Sequence, residues 1–99
     1  MSTAFSSFVI NKALADRPWI QKRGAFLYRI VPRSEGHGKY EARGVLNSKG
    51  EFTAISCVEY RTSEPCRGYK NTGNCYHLAA LALHLSRRWL REQKRMEAA

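Results

Sequence analysis

The sequence predicts an α+β domain: an N-terminal helix, a three-stranded antiparallel sheet, an irregular loop and a long C-terminal helix. Three observations carry that prediction. The stretch after Cys75, YHLAALALHLSRRWLREQKRMEAA, contains neither proline nor glycine and is rich in strong helix formers. The middle of the chain holds three runs of β-branched and aromatic residues punctuated by glycine-containing turns. Near the start, Phe5, Phe8, Val9 and Ala13 recur at helical spacing ahead of Pro18. The 99 residues fit one domain, residues 1–99.

The first helix is expected over residues 3–16, with Thr3 as its cap. It must stop before Pro18, because the residue preceding a proline is sterically driven out of the helical region. AFLYRIV, residues 25–31, reads as the first strand and ends at Pro32. RSEGHGK follows as a loop, in which His37 reads as a solvated residue rather than a ligand. Residues 40–46 and 51–58 read as strands joined by NSKG, a hairpin turn ending in glycine. Residues 25–58 therefore predict a three-stranded meander. Residues 61–74 contain Pro65, Gly68 and Gly73, show no periodicity, and read as a loop. Asn74 is placed to cap the last helix, where Leu78, Leu81, Ala82, Leu85 and Trp89 form one apolar stripe suited to core packing. Residues 91–99 are expected to fray.

Hydrophobic residues make up 43% of the chain, enough for a modest core. Domains this small often add a metal or disulfides as a staple. Three cysteines cannot all pair within one chain, which disfavours a closed disulfide framework. The N-terminal MSTAFSSFVI lacks the basic region of a secretory signal. No run approaches the roughly 18–20 apolar residues of a membrane span. The expectation is an intracellular, cytoplasmic protein without membrane attachment, whose thiols stay reduced and available to a metal. Seventeen lysines and arginines against eight acidic residues give a formal charge of +9. On so short a chain that field favours polyanions, with nucleic acid ahead of an acidic protein partner.

The densest chemistry lies in CRGYKNTGNCYH, residues 66–77. With Cys57 it forms the pattern C-x8-C-x8-C-x-H. Zinc takes four ligands at tetrahedral corners, commonly thiolates and imidazoles. Cys75 and His77 are two residues apart and would diverge on a regular helix. They can meet at one ion if Cys75 sits in the turn before the helix and His77 in its first turn. Cys66 in the loop and Cys57 at the end of the last strand would complete the set, pinning the connection 61–74 to sheet and helix. Each residue alone has an ordinary explanation: Cys57 as a buried apolar thiol, Cys66 as a free surface thiol, His77 as a satisfied helix histidine. Their gathering around one loop favours one structural Zn²⁺ held by Cys57, Cys66, Cys75 and His77.

Residues 11–85 resemble the SWIM-type zinc-binding domain. FLYRIVPRSEGHGKYEARG looks like its strand–loop–strand part, SCVEYR like the second half of its C-x-C-x-x-aromatic motif, and CYHLAALAL like its C-x-H helix start. Cys57 falls on the family's second cysteine and Tyr60 on its aromatic. Ile55 falls on its first cysteine and cannot bind metal, so Cys66 is expected to supply the missing thiolate. The resemblance implies a zinc-stapled core over about residues 20–90 that binds DNA or protein, without catalytic activity. A near-minimal copy of this kind is expected of a small accessory protein, of a mobile element or virus.

Arg87, Arg88, Arg91, Lys94 and Arg95 crowd the last helix, with Arg87, Arg91, Lys94 and Arg95 on one face. Such a face can sit against phosphates or enter a major groove, though cations also suit a solvated helix C-terminus. Arg67, Tyr69 and Lys70 in the metal loop form a second candidate surface, with Tyr69 placed to stack on a base. Lys22, Arg23 and Arg29 with Trp19 and Tyr28 form a third. Nucleic acid, DNA ahead of RNA, is the expected partner, and a protein with an acidic surface is the alternative. An enzyme is not expected: acids are few, no glycine-rich phosphate cradle is present, and four protein ligands leave a metal no open position.

Overall fold

Ser6 starts the first helix. Its backbone is extended and its hydroxyl accepts the Val9 N–H at 3.3 Å. In the computed structural model, which describes residues 5–33, 38–66, 69–70 and 75–98, this helix is α1, Ser7–Asp16. The expected cap Thr3 lies outside the described residues. At the other end Arg17 adopts a left-handed conformation, φ 48°, and its N–H returns to the Ala13 carbonyl ahead of Pro18. Ala13 is buried against Tyr76, Ala79 and Ala80 of the last helix, where small residues let two helices approach. Phe8 is 77% exposed, so it does not belong to the buried face with Phe5 and Val9.

The sheet has four strands, not three, in the order β1 (Trp19–Lys22), β2 (Leu27–Val31), β3 (Tyr40–Leu46), β4 (Phe52–Glu59), all antiparallel. The strand expected to begin at residue 25 begins at Leu27. Residues 23–26 instead turn the chain, with the N–H groups of Arg23 and Gly24 both donating to the Leu27 carbonyl. That turn pairs β1 with β2, Ile20 opposite Ile30. β1 has no alternating pattern of its own because it is a mostly exposed edge; pairing with β2 makes it a strand.

β3 and β4 form the hairpin that NSKG predicts. Asn47 Oδ1 accepts the N–H of Lys49 and of Glu51, both at 2.9 Å, and Gly50 takes φ +83°, a conformation that favours glycine. The ladder slips once: Arg43 pairs with Ser56 but Gly44 with Ala54, leaving Ile55 as the extra residue of a bulge. Side chains alternate along a strand, so Phe52 and Cys57 would otherwise face opposite ways. The bulge turns both inward, and both are buried.

The last helix, α2, runs Tyr76–Ala98. Leu78 and Leu81 are fully buried, and Ala82 and Leu85 pack against the same cluster, the stripe the spacing predicts. With Ile30 they centre a core between α2 and one face of the sheet, each such side chain stabilising by roughly 1.5–3 kcal/mol. Twenty-three residues make α2 about 34 Å long at 1.5 Å per residue. The body's two shorter extents are 26 and 24 Å, so α2 runs along the longest, 45 Å, and its Trp89 ring lies beside Gly50 of the β3–β4 turn. From Arg87 onward only Trp89 and Gln93 are partly covered among the described side chains.

Candidate metal centre

Cys57 lies near the end of β4. After Glu59 the chain turns through residues 60–63 and comes back antiparallel to the strand it left. Glu59 N–H donates to the Glu64 carbonyl, Val58 bridges Pro65, and Cys66 N–H donates to the Cys57 carbonyl at 2.8 Å. Half of the expected loop is thus a hairpin return, and the eight-residue interval is what sets Cys66 beside Cys57. Cys75 is the last residue before α2, its carbonyl accepting the Ala79 N–H. His77 lies in the first turn, so the two-residue spacing closes rather than diverges. The expected cap Asn74 and the loop residue His37 lie outside the described residues.

The four side chains converge. Cys75 Sγ is 3.5 Å from Cys57 Sγ, 3.5 Å from Cys66 Sγ and 3.2 Å from His77 Nδ1. His77 Nδ1 is 3.8 Å from Cys57 Sγ and 3.4 Å from Cys66 Sγ. All four ligand atoms lie within 4.8 Å of one another, and all four residues are buried. A tetrahedral ion with bonds of about 2.3 Å to sulfur and 2.05 Å to nitrogen sets sulfur–sulfur edges of ~3.8 Å and sulfur–nitrogen edges of ~3.6 Å. Five of the six edges match those lengths to within a few tenths of an ångström, and the sixth, between Cys57 and Cys66, is no longer than 4.8 Å. No pair is a disulfide, and the group can hold one metal ion.

Hydrogen bonding with Cys57 and then Cys75 holds the Cys66 thiol far below the usual thiol range, while the bonds to Cys66 and Cys75, with burial, push Cys57 far above it. One thiolate solvated by neighbouring thiols is what a dry pocket tolerates without a cation. Three thiolates need a positive ion among them.

The imidazole is oriented by packing. Its ring stacks on Tyr40 with centroids 3.8 Å apart and packs on Tyr76 at 4.2 Å. Its Nε2 is buried with no hydrogen-bond partner among the described residues, where histidine ligands commonly tether that atom to an oxygen. Two aromatic rings therefore aim Nδ1 at the sulfurs. Sequence spacing did not reveal this role for Tyr40; an aromatic residue starting a strand carries no such signal.

The expected nucleic-acid contacts divide. Arg87, Arg88, Arg91, Lys94 and Arg95 are all exposed on α2. Lys70 is exposed, and its N–H donates to the Cys66 carbonyl. Tyr69 is half-buried: its ring packs on the core and its hydroxyl donates to the Ile55 carbonyl. Arg67 lies outside the described residues. In the third cluster Tyr28 is buried in the core, Arg29 lies over the Tyr60 ring at 4.3 Å, and Trp19 is 56% exposed beneath Arg33.

Fold and site together define a small α+β domain in which a buried three-cysteine, one-histidine group joins a sheet edge to a helix start. Comparison with family models, curated proteins and solved structures finds no significant match. Among the described residues no helix is long and apolar enough to cross a membrane.

Proposed function

We propose that this is a small zinc-stapled nucleic-acid-binding protein, with DNA ahead of RNA as its ligand and an accessory or regulatory role. One observation carries the reading. The buried ligand group roots the first turn of α2, while five cations of that helix, Arg87 to Arg95, stand in solvent on its distal half. A soft three-thiolate, one-imidazole set suits Zn²⁺ over harder cations, and four protein ligands make the site structural rather than catalytic. The formal charge of +9 supplies the attraction to phosphates. The C-x-H helix start supports a SWIM-type relationship, with Cys66 standing in for the thiolate that Ile55 cannot provide. Such a site calls for a reducing compartment inside the cell.

The test begins with elemental analysis of the purified chain, expected to give one zinc per molecule. Binding to labelled DNA is then followed by anisotropy from low to physiological salt, before and after chelation. Binding that weakens steeply with salt and falls on chelation supports the reading. A zinc-loaded protein that ignores DNA even at low salt sinks it. A second reading, an adaptor for an acidic protein surface, is favoured by Leu90 and Met96, 53% and 70% exposed among the cations of the same helix half. That reading predicts saturable capture of an acidic protein and only weak, length-independent DNA binding.

A further inference from the structure

A groove of about 570 Å³ opens between the end of α1, strand β1 and the middle of α2. Arg17, Trp19 and Arg33 line one side, and Leu83, His84 and Arg87 the other. Three arginines line it and no aspartate or glutamate does. Its volume falls within the roughly 300–1,000 Å³ typical of sites for small organic groups.

One side of the groove is built rather than incidental. The Arg33 guanidinium lies over the Trp19 indole, 3.9 Å from the ring centroid, and its Nε donates to the Arg17 carbonyl. Its backbone N–H donates to Asp16 Oδ2 at 3.2 Å. The left-handed Arg17 turns the chain at this point, between α1 and β1. Trp19 remains 56% exposed, a large ring open to water on a cationic wall. His84, on the opposite side of the groove, senses the same sign of charge. Burial first, and then the charges of Arg88, Arg91 and Arg87, hold His84 below its ordinary range. Arg87, Arg88 and Arg91 therefore put positive potential on the helix side of the groove.

We infer that the groove binds one nucleotide of a single-stranded nucleic acid, its base against Trp19 and Leu83 and its flanking phosphates on Arg17, Arg33 and Arg87. Guanidinium groups recognise phosphate oxygens by paired N–H donors, and an exposed indole stacks on any base. A base within a duplex is already stacked on both faces and cannot enter a slot of this shape, whereas an unpaired base can. Arg91 stands one turn beyond Arg87 on the same helix face and continues the cationic track for the next phosphate. The inference rests on the nucleic-acid reading above and specifies its surface and its strandedness.

The experiment uses the zinc-loaded full chain and a labelled fifteen-residue oligothymidylate, with a duplex of equal length and thymidine monophosphate beside it. The single strand is expected to bind about tenfold or more tightly than the duplex. Arg87→Ala, on an exposed helix position, and Arg33→Ala are each expected to lower the salt slope by about 0.7. Trp19→Ala is expected to weaken strand binding by about tenfold or more. Arg43→Ala, on the sheet face away from α2, is expected to change affinity less than twofold. Should Trp19→Ala fail to fold, quenching of Trp19 emission by the strand in a Trp89→Phe background reads the same contact. Duplex binding as tight as the strand's, groove variants that leave strand affinity unchanged, or unquenched Trp19 would overturn the inference while leaving nucleic-acid binding intact. Thymidine monophosphate binding as tightly as the oligomer would overturn it in favour of a mononucleotide pocket. Absence of any binding at low salt would remove the nucleic-acid reading itself, and this inference with it.

Discussion

The Tyr69 hydroxyl donates to the Ile55 carbonyl at 2.8 Å, and Ile55 is the unpaired residue of the β3–β4 bulge. The metal loop thereby holds the irregularity that turns Cys57 toward the metal loop's own cysteine. Tyr69→Phe keeps the ring packing and removes this bond, at a cost of about 0.5–1.5 kcal/mol. The expected outcome is faster transfer of the metal to a colorimetric chelator, with the folded spectrum preserved. Unchanged release kinetics would show that the bulge does not depend on the hydroxyl.

Removing the metal is expected to cost more than the fold can spare. Apparent zinc affinities of structural sites amount to about 10–16 kcal/mol near neutral pH. Whole domains of this size are stable by about 5–15 kcal/mol. Chelation is therefore expected to unfold the connection from Cys57 to His77 and the first turns of α2, read as lost amide-exchange protection there. Protection that survives chelation would mean that the apolar core alone holds these elements.

The ligand assignment is checked with cobalt in place of zinc. Cys75→Ala and His77→Ala are expected to abolish stoichiometric binding, and Cys66→Ala to weaken it and reduce the thiolate charge-transfer absorbance. Full absorbance in Cys66→Ala, together with metal loss in His37→Ala, would reassign the fourth ligand.

His84 yields a pH dependence of known sign. Burial and three arginines depress its folded value below the unfolded value of about 6.5. The unfolded chain then takes up the proton first, so the stability due to this group is fully present above about 6.5 and is lost as pH falls through the folded value. A Tm that declines as the buffer is lowered from pH 7 toward 5, and declines less in His84→Gln, is the expected result. An imidazole titrating at or above 6.5 by NMR in the folded protein would contradict it.

Gly44 has no room for a side chain. A Cβ there would collide with the Phe52 ring, which is itself buried. Gly44→Ala must shift that ring at the next pair beyond the bulge, and is expected to destabilise by about 1–3 kcal/mol. At roughly 4–8 °C per kcal/mol for a domain of up to 100 residues, the loss is easily read in a thermal melt. An unchanged Tm would mean that Phe52 repacks freely.

The elements legible in the sequence are those whose signal is local. The apolar stripe of α2, the turn around Asn47 and Gly50, and the stop before Pro18 follow from steric and hydrogen-bonding rules that act within a few residues. So does the placing of Cys75 just ahead of the helix that carries His77. β1 escaped because nothing in Trp19–Lys22 marks a strand until β2 lies beside it. Tyr69 reads as a free stacking ring until the fold places the Ile55 carbonyl within its reach.

The sequence by itself determined the fold class, the long basic helix and the four residues that gather around the metal position. Periodicity, turn chemistry and ligand spacing are short-range properties, written in consecutive residues. The tertiary structure decided which way each group faces. Strict alternation from Phe52 sends Cys57 outward, and only the slipped pairing at Ile55 brings it in. Arg17, Arg33 and Arg87 are far apart in the chain and share a groove only because α1, the sheet and α2 pack as they do. Orientation and juxtaposition depend on register and packing between distant segments, and no window of neighbouring residues contains that information.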